Sequence, residues 1–262
     1  MPACARAETR EDLAVSNPSL IAHRHERDPE GNLLPKHFAE IRRVLQDQGF
    51  VVLPSDTAYS VAAWPRTSQT RTQINEMLQR ANEPLSLAFP SVTVVRQWTT
   101  PNAVADRLLE CFTPGPITVV RSASRLIPAD FTRELIGSQN HTIGVRITDS
   151  AEERQVAGAG ASPVTTVPVQ YVRADGRSPV TSFPDALAIF RKRIAAIDGA
   201  PRWCAIEGTI QYSVTSTVVE ILGESGSYNI KREGVIPEAD IHACAAGRRR
   251  DGGPEGEPAH DG

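Results

Sequence analysis

The sequence predicts a layered α/β domain, and three observations support that prediction. The 262 residues are 40% hydrophobic and 23% charged, a balance that suits one large globular core. Segments with a helical spacing of apolar residues alternate with short apolar runs, which is the order of helices and strands in α/β proteins. The third observation is the apolar run at 50–53, which ends at Pro54 and a polar turn.

Helices are predicted where apolar residues recur every three or four positions. These segments are 38–45, 74–78, 103–112 and 187–197, the last opened by Ser182 and Pro184. Strands are predicted where short apolar or β-branched runs are bounded by turn residues. They are 50–53, 85–89, 117–120, 142–147, 203–207, 217–222 and 227–232. The run at 50–53 has no polar face, so we expect that strand to be buried on both sides.

The two ends of the chain differ from the domain between them, which is placed at 33–240. Residues 1–32 are polar and interrupted by proline and glycine, so they predict a loosely packed arm. Residues 241–262 are rich in charge, Gly and Pro and predict a disordered tail. No stretch approaches the roughly 20 apolar residues of a membrane helix, and the N-terminus lacks the apolar centre of a signal peptide. The expected location is therefore cytoplasmic.

Composition gives little support to metal, disulfide or nucleic-acid chemistry. Cys4, Cys111, Cys204 and Cys244 are dispersed without a CxxC spacing, so we expect free thiols, no disulfide and no metal site. The net charge of -3 argues against broad electrostatic capture of nucleic acid, although it leaves room for a local basic groove.

Polar side chains follow the strand at 50–53 directly. Ser55, Asp56, Thr57 and Tyr59 place three hydroxyls and one carboxylate at the carboxyl end of that strand. Ligand sites of α/β proteins are usually built at this end of a strand. An ordinary capped turn is the alternative for the segment taken alone.

Four further segments follow this turn and, with it, indicate a family. Residues 54–61 are PSDTAYSV, 114–118 are PGPIT, 143–147 are IGVRI, 216–220 are STVVE and 231–236 are KREGVI. In this order they resemble the motifs of the YrdC-like, or TsaC-like, threonylcarbamoyl-adenylate synthase family, over most of the predicted domain. The resemblance implies a single twisted, mixed-sheet α/β domain that encloses a large concave cavity.

The resemblance also implies a reaction. Family members condense L-threonine, bicarbonate and ATP to threonylcarbamoyl-AMP and pyrophosphate, a nucleotidyl transfer that leads to a modified tRNA adenosine. ATP would then be a substrate, with Mg²⁺ screening its phosphates, and no tightly bound cofactor is expected. The small-molecule partners would be ATP, bicarbonate and an amino acid or another carbamoyl source. Binding of RNA, including double-stranded RNA, is a further expectation, and no membrane partner is predicted.

The family motifs assign roles to nine residues of this sequence. The resemblance implies catalytic roles for Arg80 and Thr57, nucleotide or phosphate binding by Arg146, Ser216, Thr217 and Arg232, and substrate binding by Ser55, Tyr59 and Thr118. A guanidinium suits phosphate because it is a planar fork of donors that stays charged, and hydroxyls can donate to nucleotide oxygens. The alternatives are surface ion pairs for the arginines and strand packing for the hydroxyls.

The sequence also departs from the family pattern. Leu78 stands where the synthases have the lysine of a Lys-x-Arg pair, and Leu78 shares a helical face with Ile74, so it can extend the core. Pro168 and Gln170 stand where the family has Ser and Asn, and proline has neither a hydroxyl nor a backbone N–H. Ser60 replaces a glycine, so its backbone either avoids positive φ or leaves less room for a ligand.

These departures leave two classes of function open. One is a synthase-like enzyme with an altered substrate or activity. The other is a non-catalytic nucleotide- or RNA-binding module that kept the cavity and lost the synthase chemistry. The sequence has no P-loop, no dinucleotide-binding glycine motif and no Gly-x-Ser-x-Gly motif. Kinase, dehydrogenase and hydrolase functions are therefore not predicted.

Overall fold

Strands and helices alternate along the chain, as the sequence predicts. The computed structural model describes residues 19–22, 27–29, 31–160, 162–174, 176–199 and 201–248. The strands are β1 (Ser19–Ala22), β2 (Phe50–Pro54), β3 (Tyr59–Ala62), β4 (Ser86–Ala88), β5 (Ile117–Ser122), β6 (Thr142–Arg146), β7 (Val164–Thr165), β8 (Val167–Pro168), β9 (Gln170–Arg173), β10 (Gly176–Pro179), β11 (Trp203–Ile206), β12 (Thr217–Leu222) and β13 (Ser227–Arg232). The helices are α1 (Pro35–Gln46), α2 (Ser68–Met77), α3 (Val92–Trp98), α4 (Ala103–Phe112), α5 (Ala151–Ala157), α6 (Phe183–Ile194) and α7 (Glu238–Ala245), with a π-helical turn at Phe131–Leu135.

The strands form two mixed sheets and one hairpin in the described part of the chain. The five-stranded sheet has the order β1-β11-β2-β3-β8, and the six-stranded sheet has the order β13-β12-β5-β6-β4-β7. Parallel and antiparallel neighbours occur in both sheets, for example β11 beside β2 and β2 beside β3. Strands β9 and β10 pair as a separate antiparallel hairpin. The predicted mixed-sheet α/β fold is confirmed.

One short segment belongs to both sheets. Strand β7 pairs with β4 of the six-stranded sheet, and β8, after one further residue, pairs with β3 of the five-stranded sheet. Two hydrogen bonds between Ala63 and Thr165 hold this crossover: Ala63 N donates to Thr165 Oγ1 at 2.9 Å, and Thr165 N donates to Ala63 O at 2.8 Å. The two sheets are therefore fixed to each other at this point.

Strand β2 is buried on both faces, as its apolar run predicts. Phe50 and Val52 belong to the main apolar core, where Phe190 of α6 packs against Phe50. Val51 and Leu53 point the opposite way into a second apolar cluster with residues of α1 and α5. Because side chains alternate across a strand, helices must cover both faces of β2.

Regular secondary structure occurs on both sides of the predicted domain at 33–240. Residues 19–22 of the predicted arm form β1, which pairs in parallel with β11. The predicted start of the tail at residue 241 lies inside α7, where Ile241 and Cys244 are buried. This helix has eight residues, and most of its apolar residues are alanines, so its pattern is too weak to be recognised in the sequence. Most of the predicted arm and tail lies outside the described residues.

The expectation of free thiols is wrong for two cysteines. Cys111 of α4 and Cys244 of α7 form a disulfide across a sequence separation of 133. The two helices pack together, and the Arg107 guanidinium donates to Ala245 O at 2.7 and 3.2 Å. Spacing in the sequence could not reveal a pair made by such distant helices. Cys204 is a free, buried thiol, and Cys4 lies outside the described residues.

Within the described part of the chain, no helix combines the length and the apolar character that a bilayer span requires.

Two substitutions on helix α4 test how much a buried ion pair contributes to the free energy of unfolding. Arg121 is almost fully buried and donates to Asp106 at 2.7 Å and to Thr100 O at 2.7 Å. Asp106→Ala should lower the free energy of unfolding by about 2 to 4 kcal/mol because it leaves a buried guanidinium without its counter-charge.

The control is Glu110→Ala, which lies on α4 like Asp106. It removes the exposed ion-pair partner of Arg96. It should cost less than about 1 kcal/mol. Urea denaturation of the two variants measures both changes, and equal losses would contradict the assignment of Arg121 as a buried ion pair.

Candidate functional site

A cavity of about 980 Å³ lies over one face of the six-stranded sheet. Side chains alternate between the faces of a strand, so every second residue of the central strands reaches the cavity. On β12, β5 and β6, and directly before β12, these floor residues are Ser216, Val218, Glu220, Thr118, Val120, Thr142, Gly144 and Arg146. A Cβ at Gly144 would lie 2.8 Å from Ser86 Oγ on β4, so a side chain at this position would require the Ser86 hydroxyl to move. The floor therefore combines hydroxyl, apolar and charged groups.

The cavity carries more positive than negative charge. Its basic residues are Arg71, Arg80, Arg133, Arg146, Lys231 and Arg232, and its acidic residues are Glu83, Glu134 and Glu220. Four of the cations have a carboxylate partner: Arg80 with Glu83, Arg133 with Glu134, Arg146 with Asp56, and Lys231 with Glu220. Among the residues that the structure describes, Arg71 and Arg232 form no ion pair. These two cations are the most available to an anionic ligand.

A buried ion pair lies where the cavity floor meets the turn after β2. Arg146 Nη2 donates to Asp56 Oδ1, and the two side chains are 3% and 0% exposed. Ser55 Oγ donates to the same oxygen at 3.2 Å, and the backbone N–H of Asp149 donates to Oδ2 at 3.4 Å. Asp56 thus compensates the charge of Arg146, and Arg146 also lines the cavity.

A second buried carboxyl lies beside this pair. Glu153 is fully buried on α5, near Arg146, Asp56 and the hydroxyls of Ser55 and Thr166. Neither of its carboxyl oxygens has a hydrogen-bond partner in the described residues, and the Thr166 hydroxyl has none either. Burial raises the pKa of Glu153, whereas the charge of Arg146 and the neighbouring hydroxyls of Ser55 and Thr166 offset only part of that rise. A protonated Glu153 suits this environment better than a second carboxylate.

The guanidinium of Arg80 is held in place by three acceptors. It donates to Asn75 Oδ1 at 3.2 Å, to Glu83 Oε2 at 3.0 Å and to Pro84 O at 3.1 Å. Burial lowers the pKa of Arg80, while Glu83 raises it. Gln79, which precedes Arg80, has a φ of 52°, so the chain turns sharply after α2 and directs the arginine to the cavity edge.

Arg232, Ser216 and Thr118 form one hydrogen-bonded chain across three neighbouring strands. Arg232 Nη2 donates to Ser216 O at 2.9 Å and to Ser216 Oγ at 3.2 Å, and the Ser216 and Thr118 hydroxyls are 3.3 Å apart. Burial lowers the pKa of Arg232, and Arg146 lowers it further. A Cβ at Gly234 would lie 2.0 Å from Thr215 O, so glycine is needed for the chain to pass this close to the start of β12.

Six of the nine predicted site residues line this one cavity. They are Thr57, Arg80, Thr118, Arg146, Ser216 and Arg232. The structure thus brings together three arginines that are far apart in sequence, which is the arrangement that the predicted site requires.

The other three predicted residues do not line the cavity. Tyr59 faces the core, where its hydroxyl donates to Gly208 O at 2.8 Å and accepts from Gly208 N at 3.2 Å. Thr217 Oγ1 donates to Ile236 O at 2.7 Å, and Ser55 is buried beside Asp56. Alternation along β12 turns Thr217 away from the face that Ser216 occupies. Packing and local hydrogen bonds therefore account for the positions of these three residues, none of which lines the cavity.

The departures from the family pattern have distinct places in the fold. Leu78 is 2% exposed and packs in the main core, so it presents no polar group to the cavity. Pro168 and Gln170 both line the cavity. Ser60 lies within strand β3 with no positive φ, is buried and pairs with Leu53 and Pro168, so its backbone follows the first of the two expected alternatives.

Two of the cavity cations are not among the predicted site residues. Arg71 lies on the exposed part of α2 and donates to Arg133 O at 3.0 Å. Arg133 lies in the π-helical turn, whose irregular backbone has no simple sequence signature. The charges of these residues were visible in the sequence, but their direction toward the cavity depends on the packing of α2 against this turn.

The buried Glu153 predicts a pH-dependent difference in stability. Because its pKa is raised in the folded state, the stabilisation is complete below the unfolded value of about 4.3 and is lost as pH rises through the folded-state pKa. Glu153→Gln should therefore unfold at higher urea concentration than the native chain near neutral pH, and the difference should shrink toward about pH 4.

The matched control is Glu110→Gln, whose side chain is exposed and should respond little to pH. Parallel stability curves for the native chain and Glu153→Gln, measured by urea denaturation across this pH range, would contradict the interpretation.

Sequence and structure comparisons agree on one family. Residues 43–234 match the family model Sua5/YciO/YrdC, described as "Telomere recombination". The chain is 23% identical over 205 residues to the "Putative threonylcarbamoyl-AMP synthase" of Methanocaldococcus jannaschii, covering 78% of this chain and 88% of that protein.

Solved structures show the same fold. E. coli YciO has a TM-score of 0.64 at 16% identity, covering 80% of this chain and 95% of YciO. P. abyssi Sua5 complexed with L-threonine has a TM-score of 0.63 at 21% identity, covering 80% of this chain. The match spans 57% of that Sua5 chain. Since the family match covers well over half of the present chain, the protein belongs to the Sua5/YciO/YrdC family.

Proposed function

We propose that the protein forms a carbamoyl-type adenylate from ATP, bicarbonate and an amino acid, with release of pyrophosphate. The observation that carries the proposal is the meeting of Arg80, Arg146 and Arg232 on one cavity with an excess of positive charge. Transfer of a nucleotidyl group requires fixed cations around the phosphates, because the leaving pyrophosphate is strongly anionic. A cavity of this charge suits a nucleoside triphosphate.

The relatives support the choice of reaction. The similar curated protein carries the name "Putative threonylcarbamoyl-AMP synthase", and the Sua5 relative was solved with L-threonine. The proposed substrate class is therefore an amino acid of this kind. The replacement of Ser by Pro168 and of Asn by Gln170 changes the hydrogen-bonding groups at the cavity wall, which favours an acceptor other than L-threonine.

Each residue would have a separate task in this reaction. Arg232 would bind phosphate, since it lacks a carboxylate partner in the described chain, and Ser216 would add a hydroxyl next to it. Arg146 would contribute a charge that Asp56 holds in position. Arg80 would stabilise the developing charge at the cavity edge, and Thr57 would contact the carbamate end.

Magnesium would enter mainly with the nucleotide. The described residues contain no group of three or more His, Cys, Asp or Glu arranged for a metal ion. The cavity carboxylates Glu83, Glu134 and Glu220 each lie next to a cation, which makes them poor magnesium ligands. The phosphates themselves would supply most of the oxygen ligands, as is usual for Mg²⁺ in nucleotide sites.

Pyrophosphate release tests the proposal directly. Purified protein should release pyrophosphate from ATP when bicarbonate, Mg²⁺ and an accepted amino acid are present, with L-threonine and a panel of other amino acids compared. Arg232→Gln should lower kcat/KM by about ten- to hundred-fold, because one charge-assisted contact to phosphate is lost.

Arg96→Gln is the control, since Arg96 is exposed on α3, away from the cavity lining. It should leave kcat/KM unchanged. Absence of release with every amino acid tested, under conditions where a known synthase is active, would rule out the enzyme.

A nucleotide- or RNA-binding module without synthase activity is the second candidate. Leu78 in the core and Pro168 in the cavity wall favour it, because both remove polar contacts to phosphate or substrate. This candidate predicts that the protein binds nucleotide or RNA but releases no pyrophosphate. RNA affinity should then fall steeply with salt, and affinity that is absent or insensitive to salt would eliminate the RNA version.

A further inference from the structure

The cavity has a polar wall at the end of β6 that is opposite to Arg146. One of its residues is Arg71 of α2, and the others lie at the start of β6 or directly before it. All of them line the cavity: Arg71, Ser138, Gln139, Asn140 and Thr142. We call these five residues the polar wall. The proposed reaction gives none of them a role.

The side chain of Arg71 is held at this wall by the loop before β6. Its Nη1 donates to Arg133 O at 3.0 Å. A Cβ added at Gly137 would lie 2.9 Å from Arg71 Nη1 and 3.6 Å from Pro84 Cα, and the φ of Gly137 is 81°. Glycine adopts this φ readily, and its missing side chain leaves the space that the guanidinium occupies. The loop is thus shaped around Arg71.

Arg71 keeps donors that the described residues do not use. The bond to Arg133 O occupies one hydrogen of Nη1, whereas Nη2 is accessible and has no acceptor in the described chain. The cavity carboxylates on this side already have partners. Glu83 pairs with Arg80 at 3.0 Å. Glu134 pairs with Arg133 at 2.9 Å. Arg71 therefore presents free donors and an uncompensated charge to the cavity.

The neutral groups of the polar wall also offer donors. The hydroxyls of Ser138 and Thr142 are 2.7 Å apart, and Ser138 Oγ accepts from Thr142 N at 3.2 Å. Each hydroxyl carries a hydrogen, and the bond between them uses only one, so the other O–H has no acceptor within the described part of the chain. The side-chain amides of Gln139 and Asn140 are exposed and make no hydrogen bond to described residues. The wall thus combines one cation with several neutral donors.

This combination suits a carboxylate. A single uncompensated guanidinium matches one negative charge, its planar fork can bind two carboxylate oxygens, and the hydroxyl and amide donors can complete their hydrogen bonding. The wall adjoins Pro84, whose carbonyl accepts from Arg80 at 3.1 Å. An amino acid that reacts near Arg80 would therefore extend its side chain toward Arg71.

We propose that the polar wall binds the side-chain carboxylate of an acidic amino acid, L-aspartate or L-glutamate, and that Arg71 determines this specificity. The inference rests on the proposed function, because it names the amino acid that the carbamoyl-type adenylate would carry. A neutral side chain would leave the charge of Arg71 uncompensated, so the corresponding amides bind less well. The replacements at Pro168 and Gln170, which favour an acceptor other than L-threonine, agree with this substrate class.

Calorimetric titration of the full chain with matched amino acids tests the assignment. L-Glutamate and L-glutamine share their length and their α-carboxylate, as do L-aspartate and L-asparagine, so each pair isolates the side-chain charge. The native chain should bind at least one acid about ten-fold more tightly than its amide. Each titration is made with and without Mg²⁺ and a non-hydrolysable ATP analogue, so that binding that requires nucleotide is also measured.

Substitutions at Arg71 should change the preference itself. In Arg71→Gln the acid and its amide should bind within about two-fold of each other, because the charge-assisted contact is lost. Arg71→Lys keeps the charge but not the planar fork and should retain part of the preference.

The matched control is Arg66→Gln, which removes the same charge directly before α2. Arg66 is exposed and stacks on Trp64, outside the cavity lining. This variant should keep the native preference, since an exposed charge at that distance is screened. Thermal unfolding checks that all variants are folded.

Three outcomes would overturn the proposal. The first is a native chain that binds neither acid more tightly than its amide. The second is an Arg71→Gln variant that weakens acid and amide equally, which would assign Arg71 to the α-carboxylate or to support of the loop. The third is an equal loss of preference in Arg66→Gln, which would indicate a general charge effect.

The result is separable from that of the proposed enzyme. A preference for an acid that depends on Arg71, without pyrophosphate release from ATP, supports the polar wall and removes the synthase. Pyrophosphate release with L-threonine or another neutral amino acid, without a preference for either acid, leaves the synthase and removes the role of the polar wall.

Discussion

The buried ion pair of Arg146 and Asp56 is the interaction on which the site depends. Arg146 ends β6 of the six-stranded sheet, and Asp56 lies in the turn after β2 of the five-stranded sheet. A buried charge without its partner is strongly destabilising, so the two sheets can approach only with this pair in place. The backbone carbonyl of Asp56 also accepts from Gln211 N and Tyr212 N, which ties a third segment to the same point.

The same ion pair also helps to hold the sheets in place around the cavity. The crossover through Thr165 and the ion pair through Arg146 both join the sheets beside the cavity floor. Cations that have carboxylate partners shape the walls, whereas Arg232 remains available for a ligand. Arg80 extends the positive surface to the cavity edge. A phosphate-bearing ligand would therefore meet fixed positive charge from the floor to the edge.

Local pattern predicted much of the fold but only part of the site. The strands at 217–222 and 227–232 agree in both bounds with β12 and β13, because alternating residues and turn residues define them clearly. Helix α5 was missed because seven residues give too few turns for a periodic signal. Tyr59 and Thr217 were assigned to ligands because the hydroxyl that makes a residue suitable for ligand binding equally suits a structural hydrogen bond.

By itself, the sequence determined the family, the alternation of helices and strands, the double burial of β2, and the arginines and hydroxyls on which the site is based. Only the tertiary structure decided which of these side chains share a surface. Asp56 and Arg146 are 90 residues apart, and Tyr59 and Gly208 are 149 residues apart. Contacts over such separations follow from how two sheets pack, which no local spacing specifies. The same reason hid the disulfide of Cys111 and Cys244 and the position of Glu153.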